Sequence, residues 1–206
     1  MFMNPNLKAL LAGASLVGAS VVGLTVIQSP AVAQSANATT NYRAVLRPLP
    51  NTMGQGTAML RLSADQRTLT VKIMASGLEP GVHVSHIHGL GTAGQPVESA
   101  CPTIAQDTDR DTFVELAEGG VSYGPILIDF ENIDPNKDGV IEFTKTIMLS
   151  GGENALPLVN RHIVIHGMTV KAVGAGTPGE VDGTAGYKTV LPVLCGEIES
   201  VGGGKR

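Results

Sequence analysis

Tryptophan is absent from these 206 residues, cysteine occurs twice and histidine five times. No long stretch carries a clean 3.6-residue apolar period, which argues against a helix bundle. Basic charge is scarce. Fourteen Lys and Arg stand against 18 Asp and Glu, so a basic nucleic-acid surface is not expected. There is no H-E-x-x-H, the zinc-hydrolase signature, and no carboxylate stands beside the histidines in sequence.

Charge is missing from the first 33 residues as well, where Lys8 is the only charged side chain. An apolar stretch, ALLAGASLVGASVVGLTVI, leads to Ser29, Pro30 and the A-x-A pattern of Ala31, Val32 and Ala33. Residues 1–33 therefore read as a secretory signal peptide cut before Gln34, with an uncleaved membrane anchor as the alternative. No cysteine follows the apolar run to carry a lipid. The remaining 34–206 hold 13 basic and 18 acidic residues, a net charge of −5. That length suits one domain without a membrane span, exported to a periplasmic or extracellular compartment. An oxidising compartment favours pairing Cys101 with Cys195, the alternative being two free buried thiols.

What is present is a series of short alternating runs separated by turn residues. Residues 34–41 read as a flexible lead-in. Strand patterns follow at 42–49, 57–63, 67–77, 82–89, 123–130, 140–149, 161–170 and 189–201. In the clearest of them Leu69, Val71, Ile73 and Ala75 share one face. Residues 90–122 and 171–187 are glycine-spotted excursions, NALPLVNRH has room for a helical turn, and 202–206 is a loose tail. The whole predicts an all-β antiparallel sandwich or barrel of about eight strands over 42–201, with long irregular loops.

The histidines are crowded into two places. In GVHVSHIHG, 81–89, His86 and His88 lie two apart and so share a strand face. His83 has the opposite parity; it precedes the regular strand or supports the site from behind. In RHIVIHG, 161–167, His166 stands at a strand end before Gly167. Together His86, His88 and His166 would make a three-imidazole site for a nitrogen-liking metal such as copper, with a position left open.

GLEPGVHVSHIHGLG, 77–91, resembles the copper-ligand strand of copper–zinc superoxide dismutases. That family has a GL-x-PG turn, a supporting histidine matched by His83, and an H-x-H pair matched by His86 and His88. RHIVIHG matches its late ligand strand at His166. LCGEI, 194–198, matches its C-terminal cysteine motif, which would make Cys101 the loop partner of Cys195. The resemblance implies a Greek-key β-sandwich or flattened barrel, a copper cofactor, and superoxide or another small molecule as substrate. It also has gaps. No histidine occurs between His88 and His162, so no zinc-bridging site is expected, and a fourth copper imidazole would have to come from His83 or His162. The family's anion-steering arginine is replaced by Pro192, leaving Arg161 as a candidate for anion attraction. The sequence is also similar to chordin-type (CHRD) domains, which implies the alternative of a non-catalytic extracellular module.

The excursions carry carboxylates at calcium-loop spacing. In DTDRDTFVELAE, 107–118, the residues Asp107, Asp109, Asp111, Glu115 and Glu118 occupy loop positions 1, 3, 5, 9 and 12, with Thr112 where a turn glycine belongs. In DPNKDGVIEFTK, 134–145, Asp134, Asn136, Asp138 and Glu142 fit, but Lys145 takes the place of the bidentate carboxylate. The first loop is a candidate structural calcium site. The second is a lesser one, with an Asx-type turn as its alternative.

Overall fold

The computed structural model describes residues 38–150, 154–171, 181 and 183–202. The expected signal segment 1–33, most of the second excursion and the end of the tail lie outside them. Ten strands follow in chain order: β1 (Thr40–Pro48), β2 (Gln55–Leu62), β3 (Thr68–Ser76), β4 (Val84–His88), β5 (Leu90–Thr92), β6 (Gln95–Val97), β7 (Ile126–Asn132), β8 (Ile141–Met148), β9 (His162–Val170) and β10 (Gly186–Ser200). One helix, α1 (Leu116–Tyr123), precedes β7. No helix among the described residues is long and apolar enough to cross a membrane.

Eight strands form one antiparallel sheet in the order β7-β4-β9-β10-β1-β2-β3-β8, and β5 and β6 make a separate hairpin. Strands distant in sequence become neighbours, as in a Greek key. The sheet curls until its edges meet. Phe130 and Phe143 stack at 6.2 Å between ring centres, and Lys145 Nζ lies 3.5 Å from Glu131 Oε2. This is the expected flattened, nearly closed barrel.

Period-two burial produces β1 to β3. Tyr42, Ala44 and Leu46, then Ala58, Leu60 and Leu62, then Leu69, Val71, Ile73 and Ala75 all turn inward. The alternation disappears in β9, where six consecutive residues from His162 to Gly167 are buried. Its outer face is covered by the 90–124 excursion, which packs Tyr123 against Leu49, Val164 and Cys195. The Cys101–Cys195 disulfide pins this cover to β10, and no free cysteine remains.

Some local expectations change. The 90–122 excursion is not wholly irregular: it holds the β5–β6 hairpin, a 3-10 turn at Ile104–Gln106 and most of α1, whose N-terminus is closed by a Glu115/Glu118 capping box. Tyr123, expected to open a strand, instead ends that helix. Residues 154–160 of NALPLVNRH form turns and bends rather than a helical turn. β1 begins at Thr40, two residues inside the expected lead-in, because Thr40 and Asn41 pair with Leu62 and Arg61.

Candidate metal centre

The cluster is assembled by neighbouring strands. Across β4 and β9, Val84 faces His166, His86 faces Val164 and His88 faces His162. Directly opposed residues in an antiparallel pair share a face, so His86, His88 and His166 project together. One nitrogen from each lies within 4.8 Å of the others. Ring centres are 5.4 Å apart for His86–His88, 5.0 Å for His86–His166 and 5.9 Å for His88–His166.

Backbone carbonyls select which nitrogens face inward. Gly124 O accepts from His88 Nδ1 at 2.9 Å, and Val190 O accepts from His166 Nδ1 at 2.7 Å. Both rings therefore carry hydrogen on Nδ1 and a lone pair on Nε2. His88 Nε2 is buried with no hydrogen-bond partner among the described residues. His86 is placed the other way round. Its Nε2 lies 3.4 Å from Asp129 Oδ1 and its Nδ1 lies 3.2 Å from His166 Nε2. With hydrogen on the nitrogen that faces Asp129, two bare lone pairs oppose each other at 3.2 Å. In the ion-free protein the other His86 tautomer, with hydrogen on Nδ1, resolves that repulsion but turns a bare Nε2 toward Asp129; a cation resolves it and satisfies His88 Nε2 as well.

Burial keeps these rings neutral. It pushes His166 down to about 3, with His86 and His88 adding to the effect and the Val190 bond opposing it. Burial likewise pushes His88 down to about 4, against the Gly124 bond. His86 is lowered by burial, with Asp129 opposing. Metal ligation requires neutral imidazole, so the environment holds the rings ready at neutral pH.

Two glycines let the backbone make this arrangement. Gly124 follows α1 at φ 84°, packed so closely on the Gly89 carbonyl that a side chain has no room. Gly167, next to His166, has φ 113°, and a Cβ there would meet Tyr187 Oη and Val82 O at 2.5 Å. The Tyr187 hydroxyl donates to Val82 O at 2.7 Å, tying β10 to the residue before His83.

His83 precedes β4 and is fully buried. Its Nδ1 is 3.0 Å from His166 O and its Nε2 is 2.9 Å from Glu79 O. It thus braces the His166 backbone rather than joining the three-nitrogen set. His162 does not supply a fourth member either; its Nδ1 contacts Ser99 Oγ at 3.1 Å, and burial pushes it to about 4. Arg161 is fully buried. Its guanidinium donates to the carbonyls of Leu90 and Asn154, so it clamps loops and presents no exposed charge for drawing in an anion. Sequence reasoning missed Asp129, Tyr123 and the Gly124 and Val190 carbonyls. The Tyr123 ring sits edge-on to His88 at 4.7 Å. Only the pairing of His86 with Asp129 across β4 and β7 reveals the Asp129 contact.

The first acidic loop also converges. Asp107, Asp109 and Glu118 form one close group, and Asp109, Asp111 and Glu115 another. Here the backbone occupies many of the oxygens. Asp107 accepts from the amides of Asp111 at 3.2 Å and Thr112 at 3.0 Å, and Asp111 accepts from Phe113 at 2.9 Å. Glu118 accepts from both the amide and hydroxyl of Thr108 at 2.6 Å. Burial pushes Glu118 up, and the Thr108 and Glu115 bonds outweigh it, leaving its carboxyl below the ordinary value. Burial raises Asp111, with Asp109 and Asp107 adding to the shift. In the second loop Asp134 accepts from Lys137 N at 2.8 Å and Gly139 N at 2.9 Å, amides three and five residues on. Asp138 accepts from Val140 N at 2.9 Å, and Asn136 and Glu142 are exposed. Asp134, Asp138 and Glu142 join no converging group among the described residues.

No curated protein matches the chain. The family model described as copper/zinc superoxide dismutase (SODC) matches residues 54–198, a span that includes the three-histidine cluster, His83 and both cysteines. Matched over that span, the chain belongs to the copper/zinc superoxide dismutase family.

Proposed function

We propose that the chain holds one copper ion on His86 Nδ1, His88 Nε2 and His166 Nε2 and dismutates superoxide. The carrying observation is the opposed pair of imidazole nitrogens at 3.2 Å beside the partnerless, buried His88 Nε2, a donor set that a soft-to-borderline cation completes. Bound there, copper would supply the redox couple that side chains lack, accepting an electron from one superoxide and returning it to a second, with two protons giving dioxygen and hydrogen peroxide. The protein's own contribution is positional. The Gly124 and Val190 carbonyls fix two ring orientations, Asp129 faces the third, and His83 braces the strand behind His166. His86 is 12% exposed while His88 and His166 are 1% exposed, so a small anion would approach from the His86 side. The site is mononuclear in this reading, because the sequence has no histidine between His88 and His162 to bridge to a zinc.

Export through a signal segment ending at residue 33 belongs to the same proposal; the Cys101–Cys195 disulfide supports an oxidising compartment. Elemental analysis of protein recovered from that compartment should find copper near one equivalent. The copper-loaded chain should then accelerate superoxide loss beyond chelated copper alone. Absence of copper, or activity no greater than the chelate, would end the dismutase reading.

A second reading keeps the sandwich and omits redox chemistry: a CHRD-like binding module stabilised by calcium. It is favoured by the converging Asp107, Asp109, Asp111, Glu115 and Glu118 carboxylates. A copper-free protein from its native compartment, with calcium retained through gel filtration, would select it.

A further inference from the structure

A cavity of about 560 Å³ lies against the disulfide, and none of His86, His88 and His166 is among its lining residues. Its wall includes Cys101 and Cys195, and it is lined by His162, Ser99, Arg47, Glu98, Glu197 and Glu199. His162 is 1% exposed and faces this lining from β9. The Ser99 hydroxyl donates to Asn160 O at 2.8 Å, so toward His162 Nδ1, at 3.1 Å, Ser99 Oγ is the acceptor. The ring therefore carries its hydrogen on Nδ1 and a lone pair on Nε2. That nitrogen has no hydrogen-bond partner among the described residues.

The rest of the lining has a matching bias. Glu197 stands directly across β10 from His162, and Glu199 follows on the same side two residues on. None of Glu98, Glu197, Glu199 or Arg47 forms an ion pair among the described residues. Three carboxylates against one guanidinium leave the lining two charges negative, with an imidazole acceptor at its base. An anion is disfavoured. A preassembled metal cage is also disfavoured, because His162 belongs to no converging group of metal donors among the described residues. The volume falls in the ordinary range for small-molecule sites.

We propose that this cavity binds a small organic cation, an alkylammonium or guanidinium compound, which donates an N–H to His162 Nε2 and is neutralised by Glu98, Glu197 and Glu199. This is a site separate from the copper reading and does not depend on it.

The test is titration of the full chain with 1,4-diaminobutane and with methylguanidinium, with and without prior chelation, following the His162 ring by nitrogen-15 NMR. Saturable shifts are expected, unaffected by chelation. Glu197→Gln, at an exposed position, should weaken binding about threefold to tenfold, and Arg47→Gln should tighten it by a similar factor. His162→Ala should weaken it about tenfold or more; because that residue is buried, the two surface variants keep the test decisive even where it fails to fold. No saturable shift up to about 10 mM, or equal affinities across the Glu197 and Arg47 variants, would overturn the proposal. So would zinc saturating the His162 signal while neither organic cation does.

Discussion

The histidine cluster and the first acidic loop each gather side chains of one kind, but the backbone treats them in opposite ways. At the cluster, the Gly124 and Val190 carbonyls accept from the outward ring nitrogens, which leaves inward lone pairs without partners. In the loop, amides of Asp111, Thr112, Phe113 and Thr108 donate to the carboxylate oxygens themselves. The first arrangement withholds stabilisation until an ion arrives; the second supplies part of it from the chain. Readiness to bind thus depends on which atoms the backbone occupies, and a count of ligand-type residues does not reveal it.

The sharpest way to break this contrast is to remove one member from each region. His88→Ala should lower copper affinity by more than about a hundredfold, beyond the 10–100-fold typical of losing a supporting contact. Glu118→Gln should leave copper affinity within about twofold, since it lies in another group of donors. Competition against a chelator of known affinity measures both. Equal losses would mean that copper is not bound at the cluster.

Acid separates the regions in the metal-free protein. His88 and His166 have folded values of about 4 and about 3 against an ordinary 6.5. The unfolded chain therefore binds more protons below pH 6.5, and stability falls as pH drops from there towards the folded values. The total loss is on the order of a few kcal/mol. Glu118 is lowered from 4.5, so its contribution is present above that pH and disappears only as pH falls further, through its folded value. Denaturant unfolding at pH 7 and pH 5 should consequently show a loss that shrinks in His88→Ala and persists in Glu118→Gln. A flat profile over that interval would show that the rings are not held neutral by burial.

Asp129 tests whether the third ring is oriented as the other two are. Its carboxylate is 58% exposed, so its effect on His86 should be smaller than that of a buried partner. Asp129→Asn is expected to weaken copper binding about tenfold and to alter the copper(II) EPR spectrum, without a change in unfolding midpoint. An unchanged spectrum would leave His86 positioned by strand geometry alone.

Much of the cluster was legible because strand parity is a local rule. His86 and His88 share a face wherever their strand runs, and the inward set of β3 follows from the same alternation. The meeting with His166 was expected from its place at a strand end and the disulfide from an oxidising compartment, and the family resemblance agreed with both. What escaped is contributed across the fold. Asp129 reaches His86 only through the β4–β7 pairing, and the Gly124 carbonyl depends on a glycine wedged against Gly89. Arg161 misled for a related reason. A basic residue beside a ligand strand suggests anion attraction, but burial and two loop carbonyls turn it into a clamp. α1 escaped because eight residues with three buried carry little periodic signal.

The smallest expected effect asks whether the acidic loop is already complete. Thr108, Thr112 and Phe113 satisfy several oxygens, yet burial and the neighbouring Asp107 and Asp109 still raise the Asp111 carboxyl, a sign of repulsion left over. A divalent ion would relieve it. At a dissociation constant of about 1 mM, calcium near 10 mM would add about 1.4 kcal/mol to stability. Denaturant midpoints should rise with calcium in the wild type and not in Asp109→Asn, because Asp109 belongs to both converging groups. Magnesium should do much less, since it requires a tighter octahedral cage. Equal midpoints with and without calcium would mean that the backbone amides alone hold the loop, making the contrast with the histidine cluster complete.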